Sequence, residues 1–176
     1  MLEISINKSY RLRLQCISAV ENLSKFVNKN LFHESFFFIS LNLLTDSVFL
    51  VRESACNSIK NLLMFFDYSE EFAKKLNEKL NEMKISQNYL IRITLLTFIQ
   101  LLLMDDNGVI FVETYLELLL KMSKDKMSNV RLNCAIIFNI IQIKTKSQEC
   151  LSIIKNAIEY LKNDSDVDVI NLLNTI

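Results

Sequence analysis

The chain has 176 residues, with 20 Lys and Arg against 20 Asp and Glu, and 51% of its residues are hydrophobic. Proline is absent and glycine occurs once, so residues that break helices or form tight hairpin turns are nearly missing. These counts argue against an all-β fold. The balanced charge argues against nucleic acid as a partner, because phosphate groups need a basic surface.

The longest apolar run, residues 90–104, is interpreted as a buried helix. It contains Arg92 and Gln100 and is shorter than the roughly 20 apolar residues of a membrane-spanning helix. The first residues show no basic stretch followed by an apolar core, so no secretory signal is visible. We therefore expect no membrane partner and a location in the cytoplasm, with the nucleus as the alternative.

Amphipathic spacing predicts paired helices along the chain. Each pair consists of a first helix and a second helix joined by a turn. The second helix of the first pair begins near Tyr10, and the six residues before position 7 are too few to form its first helix. The predicted first helices of the later pairs are residues 32–44, 70–84, 109–123 and 147–162. Because a solenoid needs polar capping units, we expect an apolar flank at the N-terminal end. Truncation, a separately encoded N-terminal part or a covering partner would each account for it.

The turns before the second helices repeat at a regular interval. Five similar segments are residues 7–13, 46–52, 86–92, 125–131 and 164–170, and their last residues are 39 or 40 positions apart. This period is close to that of helical-hairpin solenoids, whose units have about 40 to 47 residues.

The same register continues into each second helix as one apolar stripe. The residues at offsets of 0, 4, 8 and 11, counted from the residue before each arginine, are all apolar. Only a neighbouring helix can bury such a stripe. The stripe consists of Leu12, Cys16, Val20 and Leu23; Val51, Ala55, Ile59 and Leu62; Ile91, Leu95, Ile99 and Leu102; Val130, Cys134, Phe138 and Ile141; Val169 and Leu173.

These observations predict an all-α HEAT-repeat α-solenoid: a right-handed superhelical stack of antiparallel helix pairs, with about four and a half repeats. We expect a single domain over residues 1–176. Its repeats would span approximately residues 1–28 (partial), 29–67, 68–106, 107–145 and 146–176.

Charged residues recur in the turns and are predicted to have structural roles. Asp46, Asp125 and Asp164 lie just before second helices, where a carboxylate can accept backbone N–H bonds and cap the helix. The arginines that follow can pair with the carboxylate of their own or an adjacent repeat. These arginines are Arg13, Arg52, Arg92 and Arg131.

The residues that catalysis and cofactor binding require are scarce. His33 is the only histidine, and the chain has no P-loop or glycine-rich phosphate cradle. Two acidic stretches, at residues 105–108 and 164–168, lack the glycine and glutamate spacing of a calcium loop. The four cysteines form no C-x-x-C pair and are interpreted as reduced core thiols. We therefore expect a non-enzyme without cofactor, metal site or catalytic residue.

The tips of successive turns carry aromatic and apolar side chains. Stacked repeats would align them along one edge, which has the composition of an interface hot spot. The alternative is that the rings fold back onto their own hairpins. The candidate partner-binding residues are Tyr10, Arg11, Val48, Phe49, Tyr89 and Met127.

Four segments carry a family resemblance, in order and at matching spacing: residues 51–55, 88–92, 129–133 and 166–169. They resemble the last five HEAT repeats of the protein phosphatase 2A scaffolding (A) subunit, over nearly the whole chain from Tyr10. The departures are Ser47, Gln87 and Lys126, which replace turn prolines of that family.

The resemblance implies a scaffold whose intra-repeat turns hold a serine/threonine phosphatase catalytic subunit. The turn residues of that family correspond to Tyr10 with Arg11, Phe49, Tyr89 and Met127. The N-terminal repeats that bind a regulatory subunit in that family have no counterpart in this sequence. A regulatory subunit, or N-terminal repeats supplied separately, stay open as further partners.

Two alternatives stay open from the sequence. A HEAT or armadillo-type module for another partner, such as a transport or assembly factor, would bind through the concave face of the second helices. A helical-repeat enzyme acting on nucleic acid would need a basic concave face, which the even charge balance does not favour.

Overall fold

The computed structural model describes residues 2–26, 36–65, 70–105 and 108–175, and within them the regular structure is entirely helical. The low glycine and proline content explains this, because few residues oppose helix propagation. His33 and the start of the predicted helix 32–44 lie outside the described residues.

Contacts within the chain group its residues into two compact units, residues 1–87 and 88–176. The expectation of a single domain, and the approximate ranges given above for its five repeats, stay predictions. The helices of the first unit are α1 (Leu2–Ser5), α2 (Tyr10–Ser24), α3 (Phe37–Leu43), α4 (Phe49–Phe65) and α5 (Glu70–Lys84).

The second unit continues with the same alternation of first and second helices. Its helices are α6 (Tyr89–Met104), a 3-10 turn (Gly108–Phe111), α7 (Val112–Met122), α8 (Ser128–Lys144), α9 (Gln148–Leu161) and α10 (Val167–Asn174). The predicted first helix at 70–84 matches α5 in full, and the one at 147–162 differs from α9 only by its capping residues.

Second helices pack against each other inside each unit. Helix α4 contacts α2 and α3 in the first unit, while α8 contacts α6, α7, α9 and α10 in the second. The apolar stripe forms these contacts: all its residues are buried except Leu12 and Leu23. Leu12 is 38% exposed, and Ile4 and Ile6 are exposed as well. The apolar N-terminal flank stays a prediction.

Cys16, Cys56, Cys134 and Cys150 are free thiols buried in these helices. Burial raises the pKa of Cys56 to about 12 and also raises the pKa of Cys134. A thiol with a raised pKa is a poor nucleophile and metal ligand, so Cys56 and Cys134 act as small apolar core residues.

Gly108 follows α6 where no side chain fits. Its N–H donates to the carbonyl oxygen of Asp105 over 2.9 Å. A Cβ atom at this position would lie 2.5 Å from the carbonyl oxygens of both Leu102 and Leu103. Those oxygens belong to the last turn of α6, so the glycine lets the chain turn closely beneath the helix end.

We predict that Gly108→Ala lowers the free energy of unfolding by about 2 kcal/mol, because the added methyl group must displace helical backbone. Urea denaturation measures the change. As a control, Ser47→Ala removes an exposed side chain from a turn and should change stability by less than about 0.5 kcal/mol. Equal effects of the two substitutions would contradict the close approach at Gly108.

Candidate functional site

The turns before the second helices share one hydrogen-bond pattern. The Oδ1 atom of Asp46 accepts the N–H of Val48 over 2.8 Å, and Asp125 accepts the N–H of Met127 over 2.9 Å. The carboxylate of Asp164 accepts the N–H of Asp166, also over 2.9 Å. Each side chain closes a short local turn that sets the direction of the helix that follows.

This geometry corrects the capping role predicted for Asp46, Asp125 and Asp164. Each carboxylate binds the residue before the helix, not an N–H inside the helix, because it stands two positions upstream of that residue. Side-chain helix caps occur instead at Asn88, which accepts the N–H of Leu90, and at Asp166. The aspartates therefore fix the turn.

Arginine and aspartate side chains join successive turns as two-pronged ion pairs. Arg13 donates from Nε and Nη2 to Asp46 over 2.6 and 2.8 Å, and Arg131 donates to Asp164 over 2.6 Å from both nitrogens. Arg92 donates to Asp125 over 2.7 and 2.9 Å. The carboxylate thus belongs to the next turn, 33 residues ahead, which the sequence left undecided.

In Arg13 and Arg131, the third guanidinium nitrogen binds the arginine's own turn. Nη1 of Arg13 donates to the carbonyl of Asn7 over 2.7 Å, and Nη1 of Arg131 donates to that of Asp125 over 2.8 Å. Arg52 donates to the carbonyl of Asp46 over 2.9 Å in the same way. The residue that corresponds to these aspartates in the next turn is Ser86, 34 residues after Arg52.

The ion pairs are shielded from water. No side chain in the three pairs is more than 13% exposed. The hydrogen bonds from Arg131 lower the pKa of Asp164 against the opposing effect of burial. Burial would raise the pKa of Asp125, but hydrogen bonds from Arg92 and the Met127 N–H, with the Arg92 charge, lower it overall.

The candidate binding residues lie at the starts of second helices. Tyr10, Phe49 and Tyr89 are the first residues of α2, α4 and α6, while Val48 and Met127 directly precede α4 and α8. Phe49 is 53% exposed, and Tyr10 is also exposed, whereas the other three are half-buried. The rings of Tyr10 and Phe49 have therefore not folded fully into their hairpins.

Arginines contact the faces of these two rings. The guanidinium carbon of Arg11 lies 5.9 Å from the ring centre of Tyr10, and that of Arg52 lies 5.7 Å from the ring of Phe49. Both separations are within cation–π range. The contacts limit ring motion while the remaining ring surface stays open to a partner.

Some candidate residues meet in one hollow of the first unit. Tyr10 and Val48 line a cavity of about 460 Å³ together with Ile6, beside the Arg13–Asp46 ion pair. Arg11 and Phe49 do not line this cavity. Tyr89 and Met127 occupy adjacent positions of the repeat in successive turns of the second unit, where the packed helices α6 and α8 begin.

Two exposed leucines were absent from the sequence-based candidates. Leu50 is 51% exposed and Leu90 is 40% exposed, and each follows a candidate aromatic residue. In the repeat alignment they share a position with Arg11 and lie one residue before the buried stripe. An apolar residue outside the stripe was the signal that could have identified them.

Comparison with known proteins gives a structural likeness and no sequence family. Neither protein-family models nor curated proteins match the chain. Among solved structures, computationally designed armadillo repeat proteins for modular peptide recognition match with a TM-score of 0.51. The match has 16% sequence identity and covers 98% of this chain and 77% of that one.

The chain has an all-α helical-repeat fold. The likeness extends over nearly all its residues, which agrees with the period of 39 or 40 positions. At 16% identity, the match to a repeat protein speaks for the architecture alone. In the described part of the chain, no helix has the length and apolar character needed to cross a bilayer, and no cluster of metal-ligating side chains occurs.

We predict that the ion pairs make the repeat fold sensitive to acid. The lowered pKa values of Asp125 and Asp164 mean that the unfolded chain binds more protons as the pH falls. Their stabilising contribution is complete above about pH 5 and is lost as the pH falls through the lowered values. Arg131→Met should cost about 3 kcal/mol at pH 7, because it leaves Asp164 buried without its cation.

Urea denaturation at pH 7 and pH 3 measures both effects. Arg131→Met should also lose less stability between these pH values than the unchanged chain, because Asp164 then lacks the Arg131 hydrogen bonds that are the largest cause of its lowered pKa. The control is Lys121→Met, which breaks an exposed ion pair with Glu117 and should cost less than about 1 kcal/mol. Similar costs for the two substitutions would contradict a structural role for the buried pairs.

Proposed function

We propose that this protein is a non-catalytic scaffold that binds another protein through its intra-repeat turns. The observation that carries the proposal is the exposure of aromatic and apolar side chains, Phe49 and Leu50 above all, at the starts of second helices. Aromatic side chains with neighbouring arginines dominate the energy of many protein interfaces.

The buried ion pairs support this role because they hold the turns before a partner arrives. Binding costs conformational entropy when loops and side chains become ordered, and a prepared surface avoids part of that cost. The Asp46 carboxylate binds both Arg13 and the N–H of Val48, so the turn before Phe49 is already held.

A peptide or protein partner also suits the repeat fold. The similar solved structures are described as designed for modular peptide recognition. This description concerns those designed proteins, and it supports the same general class of ligand here. We accordingly propose a binding role and no enzymatic activity, in the cytoplasm.

For the partner we propose a protein phosphatase 2A-type catalytic subunit, within a serine/threonine phosphatase complex. The support is the resemblance of residues 51–55, 88–92, 129–133 and 166–169 to the scaffolding subunit of that phosphatase. The positions aligned with its turn residues include the exposed side chains of Tyr10, Arg11 and Phe49.

A binding measurement with purified phosphatase 2A catalytic subunit tests the proposal. Tyr89→Ala should weaken binding by about 1 to 3 kcal/mol, or roughly 5- to 150-fold, because it removes an aromatic anchor. Combined replacement of Arg11, Phe49 and Tyr89 by alanine should abolish co-purification, while circular dichroism shows unchanged helix content.

The matched control is Ile143→Ser, which alters a residue that is 84% exposed near the end of α8, away from the turns. It should leave phosphatase binding unchanged. If the triple variant still co-purifies and Ile143→Ser loses binding, the turn surface is wrong and binding through the faces of second helices is favoured. If the unchanged chain does not bind the catalytic subunit, the proposed partner is wrong.

A further inference from the structure

A second surface lies in the unit formed by residues 88–176, and it uses none of the proposed partner-binding residues. Two hollows adjoin there, between the first helices α7 and α9 and at the turns that follow them. One has a volume of about 370 Å³ and the other about 320 Å³. Lys124 and Tyr160 line both hollows.

Lys124 and Tyr160 form the shared wall. The Lys124 ammonium lies 5.8 Å from the ring centre of Tyr160, within cation–π range. Both residues are exposed, and Tyr160 is 57% exposed, which is a large fraction for an aromatic side chain. A partner could therefore contact the ring and the ammonium together.

The two hollows differ in chemistry. The smaller one runs between α7 and α9 and is lined by Leu120, Ile153 and Ala157. The larger one contains the Arg131–Asp164 ion pair and Asp125, whose carboxylate binds Arg92. The smaller hollow can take an apolar side chain, while the larger presents groups that already neutralise each other.

Lys124 supplies the charge that remains. Within the described residues its ammonium forms no ion pair, whereas the lysines at positions 121 and 162 pair with Glu117 and Glu159. A carboxylate from a partner would gain a charge-assisted hydrogen bond to Lys124 without displacing an existing ion pair. The ligand that complements this surface is therefore both acidic and apolar.

We propose that Lys124, Tyr160 and the groove between α7 and α9 bind a peptide segment of a partner protein. The segment has an apolar side chain for the groove and a neighbouring Asp or Glu for Lys124. This inference is independent of the phosphatase proposal, since neither hollow is lined by Tyr10, Arg11, Val48, Phe49, Tyr89 or Met127.

Fluorescence anisotropy with defined peptides tests the surface. The probes are blocked, labelled 12-residue peptides of Gly and Ser that carry a Leu-Phe pair and one Glu placed zero to three residues from it. Matched probes carry Gln or Lys in place of Glu. At least one Glu probe should bind the full chain, and its Gln counterpart should bind about 10-fold more weakly, because the charged hydrogen bond is lost.

Substitutions in the protein should give the complementary pattern. Lys124→Gln and Tyr160→Ala should each weaken the Glu probe about 10-fold. Lys124→Glu should reverse the preference towards the Lys probe. Lys155→Gln is the matched control, because Lys155 is an exposed lysine of α9 that lines neither hollow.

Four results would overturn the inference. They are no binding of any Glu probe, equal binding of Glu and Lys probes, unchanged binding by Lys124→Gln, or an equal loss in the Lys155→Gln control. Sedimentation velocity adds a fifth: concentration-dependent dimerisation that Tyr160→Ala abolishes would assign the groove to a second copy of the chain instead.

Discussion

The buried pairing of arginine with aspartate across successive turns is the constraint on which this structure depends. Arg13 binds the carbonyl group of Asn7 in its own turn and the carboxylate of Asp46 in the next, and Arg131 binds Asp125 and Asp164 in the same way. The carboxylate then accepts a backbone N–H from the turn in which it lies. A single charged network thus fixes two turns, and its burial makes the loss of either partner costly.

This constraint connects the core to the proposed function. The apolar stripes of the second helices bury against each other and set the packing inside each unit, but they do not define the conformation of the turns. The ion pairs do so, and the pair of Asp46 with Arg13 leaves the first residues of α4, Phe49 and Leu50, at the surface. Exposed anchors on a fixed backbone are suited to binding because little conformational entropy is lost when a partner arrives.

Local periodicity carried most of the fold prediction. The burial of Val51, Ala55 and Ile59 follows from helical spacing, and α5 matches its predicted bounds.

Features that depend on distant packing were not accessible from the sequence. The Lys124–Tyr160 contact joins residues 36 positions apart, and the side-chain nitrogen of Asn139 is buried without a hydrogen-bond partner among the described residues. The role of Asp46 also required the turn geometry, since a shift of two residues separates a carboxylate that caps the helix from one that closes the turn before it.

A double-mutant cycle on Arg92 and Asp125 tests the central constraint most directly. Arg92→Met, Asp125→Asn and the double variant are compared with the unchanged chain by urea denaturation at pH 7, and asparagine keeps an acceptor for the Met127 N–H. The account predicts a coupling free energy of at least about 2 kcal/mol, because the pair is buried and two-pronged. A coupling below about 0.5 kcal/mol, as for an exposed ion pair, would contradict it.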